Sequence, residues 1–188
     1  MGRLVYASNT SLDGWTEGPG GEIDWAPPDD EVFAAITEVM RSARTYLYGR
    51  RMYETMAVWE TDPTLAGRSD LAATYAEVWQ GADKVVFSST LATVATDRTT
   101  LRPSFDPAEV AELVQRSDHD VLIGGPQLAG QALAAGVVDE VVLWVWPILV
   151  GGRNAALPTD VRAALELVDE HRVGNGVVAL RYRVARRG

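Results

Sequence analysis

Val121-Leu122-Ile123-Gly124-Gly125-Pro126-Gln127 is the stretch that decides the fold. A short apolar run meets a paired glycine, and a helical pattern then continues from Gln127 to Ala135 before stopping at Gly136. The run reads as a buried strand and the continuation as a helix. Paired glycine at a strand end lets backbone come close to a ligand. The helix behind it offers unpaired N–H groups and a positive dipole end, which suit a phosphate. Any tight turn can use Gly-Gly-Pro, so the motif gains meaning from two further segments at strand ends. These are Tyr48-Gly49-Arg50-Arg51-Met52-Tyr53-Glu54 and Phe87-Ser88-Ser89-Thr90. Together the three segments predict a dinucleotide site outside the Rossmann pattern.

Working outward, the spacing predicts a first strand at 4–8, a Gly- and Ser-rich loop over 9–21, and a helix opened by Pro27-Pro28-Asp29-Asp30. A short strand over 45–48 ends at Gly49. A second helix runs over 69–80, with Ser69 as cap and Gly81 as stop. Lys84 to Phe87 reads as a strand, and residues 94–96 as another short one. Asp106-Pro107 opens a helix reaching about Gln115. A long strand spans 141–149, bent or at an edge because Pro147 lacks a donor. The tail reads as a hairpin, 165–173 and 177–184, around Gly174-Asn175-Gly176. Strands alternate with helices until that hairpin. The fold class is therefore α/β: a mostly parallel sheet covered by helices on both faces and finished by an antiparallel pair.

The 188 residues predict one domain over 1–188, with 47% hydrophobic residues to fill its core. No apolar run approaches the roughly 20 residues that span a bilayer, and polar Ser8-Asn9-Thr10 interrupts the N-terminus too early for a signal peptide. Cytoplasmic location is the expectation. With no Cys, disulfides, thiol nucleophiles and thiolate metal sites are all excluded. The two histidines, His119 and His171, are too few for a His-rich metal site, and no metal is expected. A net charge of −9 argues against a nucleic-acid binder, though a few arginines can still build a local anion pocket.

The chain resembles the dihydrofolate reductase superfamily. Its nearer likeness is to the reductase domain of the bifunctional riboflavin-biosynthesis deaminase-reductase, here as a stand-alone member. The likeness is carried by Ser11-Leu12-Asp13-Gly14, the Tyr48–Glu54 and Val86–Thr90 segments, Ile123-Gly124-Gly125, and Val138-Asp139-Glu140-Val141. Pro147-Ile148-Leu149-Val150-Gly151-Gly152 and Gly176 to Tyr182 complete an ordered set that covers nearly the whole chain. The resemblance implies NADPH bound across the carboxyl ends of the strands. Gly49, Arg50 and Arg51 match the stretch that grips the adenosine 2′-phosphate, and a guanidinium fork suits phosphate oxygens. Ser88 and Ser89 match serines beside the adenosine. Gly124 and Gly125 match a glycine pair often joined by a cis peptide, with Pro126 and Gln127 beside the pyrophosphate. A homodimer is implied by the same branch.

Hydride transfer needs the nicotinamide held against an electrophilic C=N or C=O, with water excluded and a proton supplied. Asp13 lies in the loop that covers the nicotinamide in the family. Trp25 and the acids Asp29 and Asp30 resemble the tryptophan and helix acid that hold the pterin ring. Asp30 is the nearer match and Asp29 the second. By resemblance Asp13 and Asp30 are the catalytic candidates, and Trp25 and Asp29 the substrate-binding ones. Both helix acids are equally explained as caps, and Asp13 as a turn residue. Trp15 and Trp59 suit a cavity wall or the core, and Trp144 and Trp146 suit the core or a dimer contact. The expected function is NADPH-dependent reduction of a small heterocycle: a pterin, a dihydrofolate-like molecule or a pyrimidine intermediate of riboflavin synthesis. Reduction of another imine or carbonyl is a second possibility. The alternative from a different class is a nucleotide-binding protein without turnover.

Overall fold

Strand β1 (Leu4–Ser11) is the axis of the sheet. In the computed structural model, which describes residues 2–185, β1 runs parallel to both its neighbours, β6 (Asp120–Gly124) and β7 (Glu140–Trp146). Beyond β6 the parallel run continues through β3 (Ala43–Gly49), β4 (Asp83–Phe87) and β5 (Thr99–Arg102). Beyond β7 come the antiparallel β10 (Val178–Val184) and β9 (Leu165–Arg172). The order is β5-β4-β3-β6-β1-β7-β10-β9. A separate two-stranded sheet pairs β2 (Trp15–Glu17) with β8 (Arg153–Ala155).

Side chains alternate across the sheet. Tyr46 and Tyr48, Leu122, and Val142, Trp144 and Trp146 face one core, which is closed by α1 (Asp30–Ser42), α2 (Arg50–Thr61) and α4 (Asp70–Gly81). A one-turn helix, α3 (Pro63–Ala66), links the last two. Leu4, Tyr6, Leu47, Ile123 and Leu143 face the other core, under α5 (Pro107–Arg116) and α6 (Pro126–Ala134). Each large apolar side chain buried in this way contributes about 1.5–3 kcal/mol. No helix among the described residues is long and apolar enough to cross a membrane.

Several local expectations are corrected. β1 continues to Ser11 because its polar Thr10 and Ser11 are buried in the ladder opposite Val145 and Trp146. The expected loop over 9–21 also contains β2, whose partner β8 lies far along the chain. Residues 94–96 form no strand. The Tyr53 hydroxyl takes up the Ala95 N–H at 2.8 Å and β5 starts at Thr99. β7 stops at Trp146, where Pro147 removes the next donor and Ile148 N–H turns back to the Trp146 carbonyl. Helix α2 has no counterpart among the expected elements. Trp144 and Trp146, each 4% exposed, belong to the first core, so they are not a dimer contact.

Candidate functional site: two open helix tips at neighbouring strand ends

β3 and β6 are neighbours, with Tyr48 opposite Gly124. Each passes directly into a helix, α2 after Gly49 and α6 after Gly125. Two helix N-termini therefore stand side by side at the carboxyl edge of the sheet. The tips of α1, α3, α4 and α5 are closed by Asp29, Asp62, Ser69 and Asp106, whose side chains accept a first-turn N–H. α2 and α6 begin at glycines with no side-chain cap, which leaves first-turn N–H groups free for an outside acceptor. The first turn of α2 also has no acid and carries Arg50 and Arg51. That is the reverse of what the helix dipole favours, unless an anion joins them.

The glycine pair fits between these tips for steric reasons. A Cβ on Gly124 would stand 2.9 Å from the Tyr48 ring. Gly125 adopts φ +89°, where a side chain is strained, and a Cβ there would meet Met52 at 3.4 Å. Met52, in the first turn of α2, thus backs both glycines and joins the two tips. The described residues contain no cis peptide bond, so Gly124 and Gly125 are joined in trans and the positive φ of Gly125 makes the turn. Pro126 sits at the first turn of α6, where its missing N–H costs nothing. Gln127 is exposed beside it.

Arg50 is held at two points. Its Nε donates to Glu54 Oε1 at 2.7 Å, one helical turn on, and its Nη1 donates to Thr90 Oγ1 at 3.2 Å. Ser88 sets the position of Thr90: its Oγ accepts the N–H groups of Thr90 and Leu91 at 3.2 and 3.0 Å. Ser89 and Arg51 are exposed next to this group. The structure thus gathers Gly49, Arg50, Ser88, Gly124, Gly125 and Pro126 at the ends of β3, β4 and β6. Sequence reading placed Met52, Glu54 and Thr90 in the strand-end segments but assigned Glu54 and Thr90 no role of their own. The i,i+4 spacing of Arg50 and Glu54 was the available signal.

Two of the three expected acids, Asp13 and Asp29, are occupied elsewhere. Asp13 accepts the Val150 and Gly151 N–H groups at 3.1 and 2.8 Å, tying the β1 exit to the loop after β7. The Ser11 hydroxyl first, and then those N–H groups, hold its carboxyl below the ordinary range. Asp29 caps α1 by accepting the Val32 N–H at 2.9 Å. The hairpin turn lies against it: a Cβ on Gly174 would overlap the Asp29 carboxylate, and Asn175 Nδ2 donates to the Pro27 carbonyl at 3.3 Å. Asp30 is exposed at the start of α1. Trp25 is half-buried against the first core, and its Nε1 is buried without a hydrogen-bond partner among the described residues. Trp59 packs on Tyr75 and Phe33, with ring centroids 4.6 and 6.0 Å apart, and Trp15 is half-buried in β2.

Comparison with known proteins supplies a family. The model described as RibD C-terminal domain matches residues 3–179. The chain is 26% identical to the uncharacterized protein YyaP of Bacillus subtilis over 185 residues, 96% of this chain and 94% of that one. It is 34% identical to riboflavin biosynthesis protein RibD of Mycobacterium tuberculosis over 86 residues, which cover 46% of this chain and only 22% of that protein. Among solved structures, a pyrimidine reductase-like protein of Corynebacterium diphtheriae superposes with a TM-score of 0.66 at 16% identity, covering 99% of this chain and 93% of that one. The Acinetobacter baumannii RibD gives 0.64 at 18% identity, with this chain spanning 59% of its length.

Proposed function

This chain belongs to the RibD C-terminal domain family, and from that premise we propose that it is a nicotinamide-dinucleotide-dependent reductase of a small nitrogen heterocycle. The observation that carries the reading is the pair of uncapped helix tips, bridged by Met52, at the ends of two adjacent parallel strands. The residues fit a dinucleotide. Free N–H groups of α2 and α6 suit its phosphates, Gly49 and Gly125 leave room for close approach, and Arg50 with Arg51 offers a guanidinium edge to a 2′-phosphate. NADPH is the cofactor proposed, and when bound it supplies the hydride. The Ser88–Thr90 turn holds Arg50 in place. Trp25 carries a buried indole N–H without a partner among the described residues, and it is proposed as a donor to the substrate. Asp30 is the acid left for contact with substrate or solvent protons, while Asp13 stays ionised and secures the covering loop. The substrate class is a pyrimidine or pterin-like ring, with 5-amino-6-(5-phosphoribosylamino)uracil as the reference compound to try first.

A homodimer is part of the proposal, with the open edge of β9, exposed along its length, as the place to look for it. The alternative of a dinucleotide-binding protein without turnover draws on one observation: the carboxylates of Asp13 and Asp29 are already committed to local bonds.

The test is a calorimetric titration with NADPH and NADH, repeated on Arg50→Ala. Tighter NADPH binding that falls about ten-fold in the variant supports the 2′-phosphate contact. No binding of either dinucleotide at millimolar concentration overturns the reading. Dinucleotide binding without oxidation of NADPH across a heterocycle panel favours the alternative.

A further inference from the structure

We infer that Glu54 sets the choice between phosphorylated and unphosphorylated dinucleotide, acting against Arg50. This rests on the dinucleotide site proposed above and deepens it. Arg50 has five N–H donors, and the structure uses one on Glu54 and one on Thr90. The Glu54 carboxylate is 2.7 Å from Arg50 Nε, half-exposed, and one helical turn on from the cation. Any anion that reaches the remaining N–H groups of Arg50 meets this negative charge nearby. A 2′-phosphate carries up to two negative charges and is repelled by it. A bare ribose carries none, and its 2′-hydroxyl is a donor that a carboxylate accepts.

The two residues therefore pull in opposite directions on one atom group of the ligand. Arg50 favours the phosphate and Glu54 favours the hydroxyl. Thr90, itself set by Ser88, gives the guanidinium a second contact that does not depend on the Glu54 charge. With both charges present, the preference for NADPH over NADH is small. A unit charge a few ångströms from a dianion at an exposed, salt-screened site is worth about a five-fold change in affinity.

The experiment measures dissociation constants for NADPH and NADH in the intact protein, in Glu54→Gln, and in Glu54→Gln with added salt. Glutamine keeps an acceptor for Arg50 Nε and removes only the charge. The expected result is a rise of about five-fold in the NADPH-to-NADH affinity ratio, which shrinks toward the wild-type value as salt is raised. A ratio that changes by less than about two-fold, or that falls, overturns the inference: Glu54 would then only support Arg50. In that outcome NADPH still binds the parent protein, so the reductase reading stands. If neither dinucleotide binds any of the proteins, the inference and the reading fall together.

Discussion

Asp13 shows what a single side chain does at the mouth of the sheet. Its carboxylate joins two loops by accepting two backbone N–H groups and is held below the ordinary carboxyl range, chiefly by the Ser11 hydroxyl. A carboxyl with a folded value below its usual one supports the folded state above that usual value. The support is lost as pH falls through the folded value. Across the neutral range Asp13 is therefore charged and has no proton to give. Asp13→Asn is expected to lower turnover by loosening the covering loop, yet to leave the shape of the pH–rate profile between about pH 5 and 8 unchanged. Disappearance of the alkaline limb from that profile would instead make Asp13 the proton donor.

Among the elements, α2 shows most clearly the link between local stability and site. Gly49 lies at φ −77°, ψ 165°, an ordinary cap conformation, and a Cβ there would meet nothing within 4 Å. An aspartate would therefore fit as a cap. Gly49→Asp is expected to raise unfolding stability by about 0.5 kcal/mol while weakening NADPH binding about ten-fold or more, since the new carboxylate takes the N–H groups a phosphate would use. Denaturant unfolding and the titration check the two halves. Unchanged NADPH affinity would remove the α2 tip from the site. The same feature explains why α2 was not legible in the sequence. Capped α1, α4 and α5 announce themselves through Asp29, Ser69 and Asp106. α2 has no cap, no acid in its first turn, and β-branched or aromatic residues at Thr55, Val58 and Trp59. The glycine pair, Arg50 and Ser88 were readable because their residue types serve ligands directly. β2 and β8 were not, because each exists only through a partner distant in the chain. Nor were the local bonds of Asp13 and Asp29, because a carboxylate's partners are set by tertiary approach.

Across the whole molecule, the edge opposite the site is pinned by charge. The Glu140 side chain, 4% exposed, lies between Arg3 Nη1 at 2.7 Å and Arg181 Nη1 at 2.8 Å, and Arg3 also reaches Asp120 at 2.6 Å. This network links β6, β7 and β10 to the residue before β1, so it spans the junction of the parallel sheet with the final hairpin. Glu140→Ala leaves two arginines facing a vacated site and is expected to cost about 3 kcal/mol of stability. Urea unfolding measures it, and a loss under about 1 kcal/mol would show that the Arg3–Asp120 pair holds the edge alone. The hairpin matters at the other edge too, where Gly174 rests on the carboxylate that starts α1. A side chain at 174 would push the Asp29 carboxylate away from the N–H it caps. The two positions are therefore expected to drift together as such chains diverge: glycine is kept where the aspartate is kept, and is free to change only where the helix has found another way to begin.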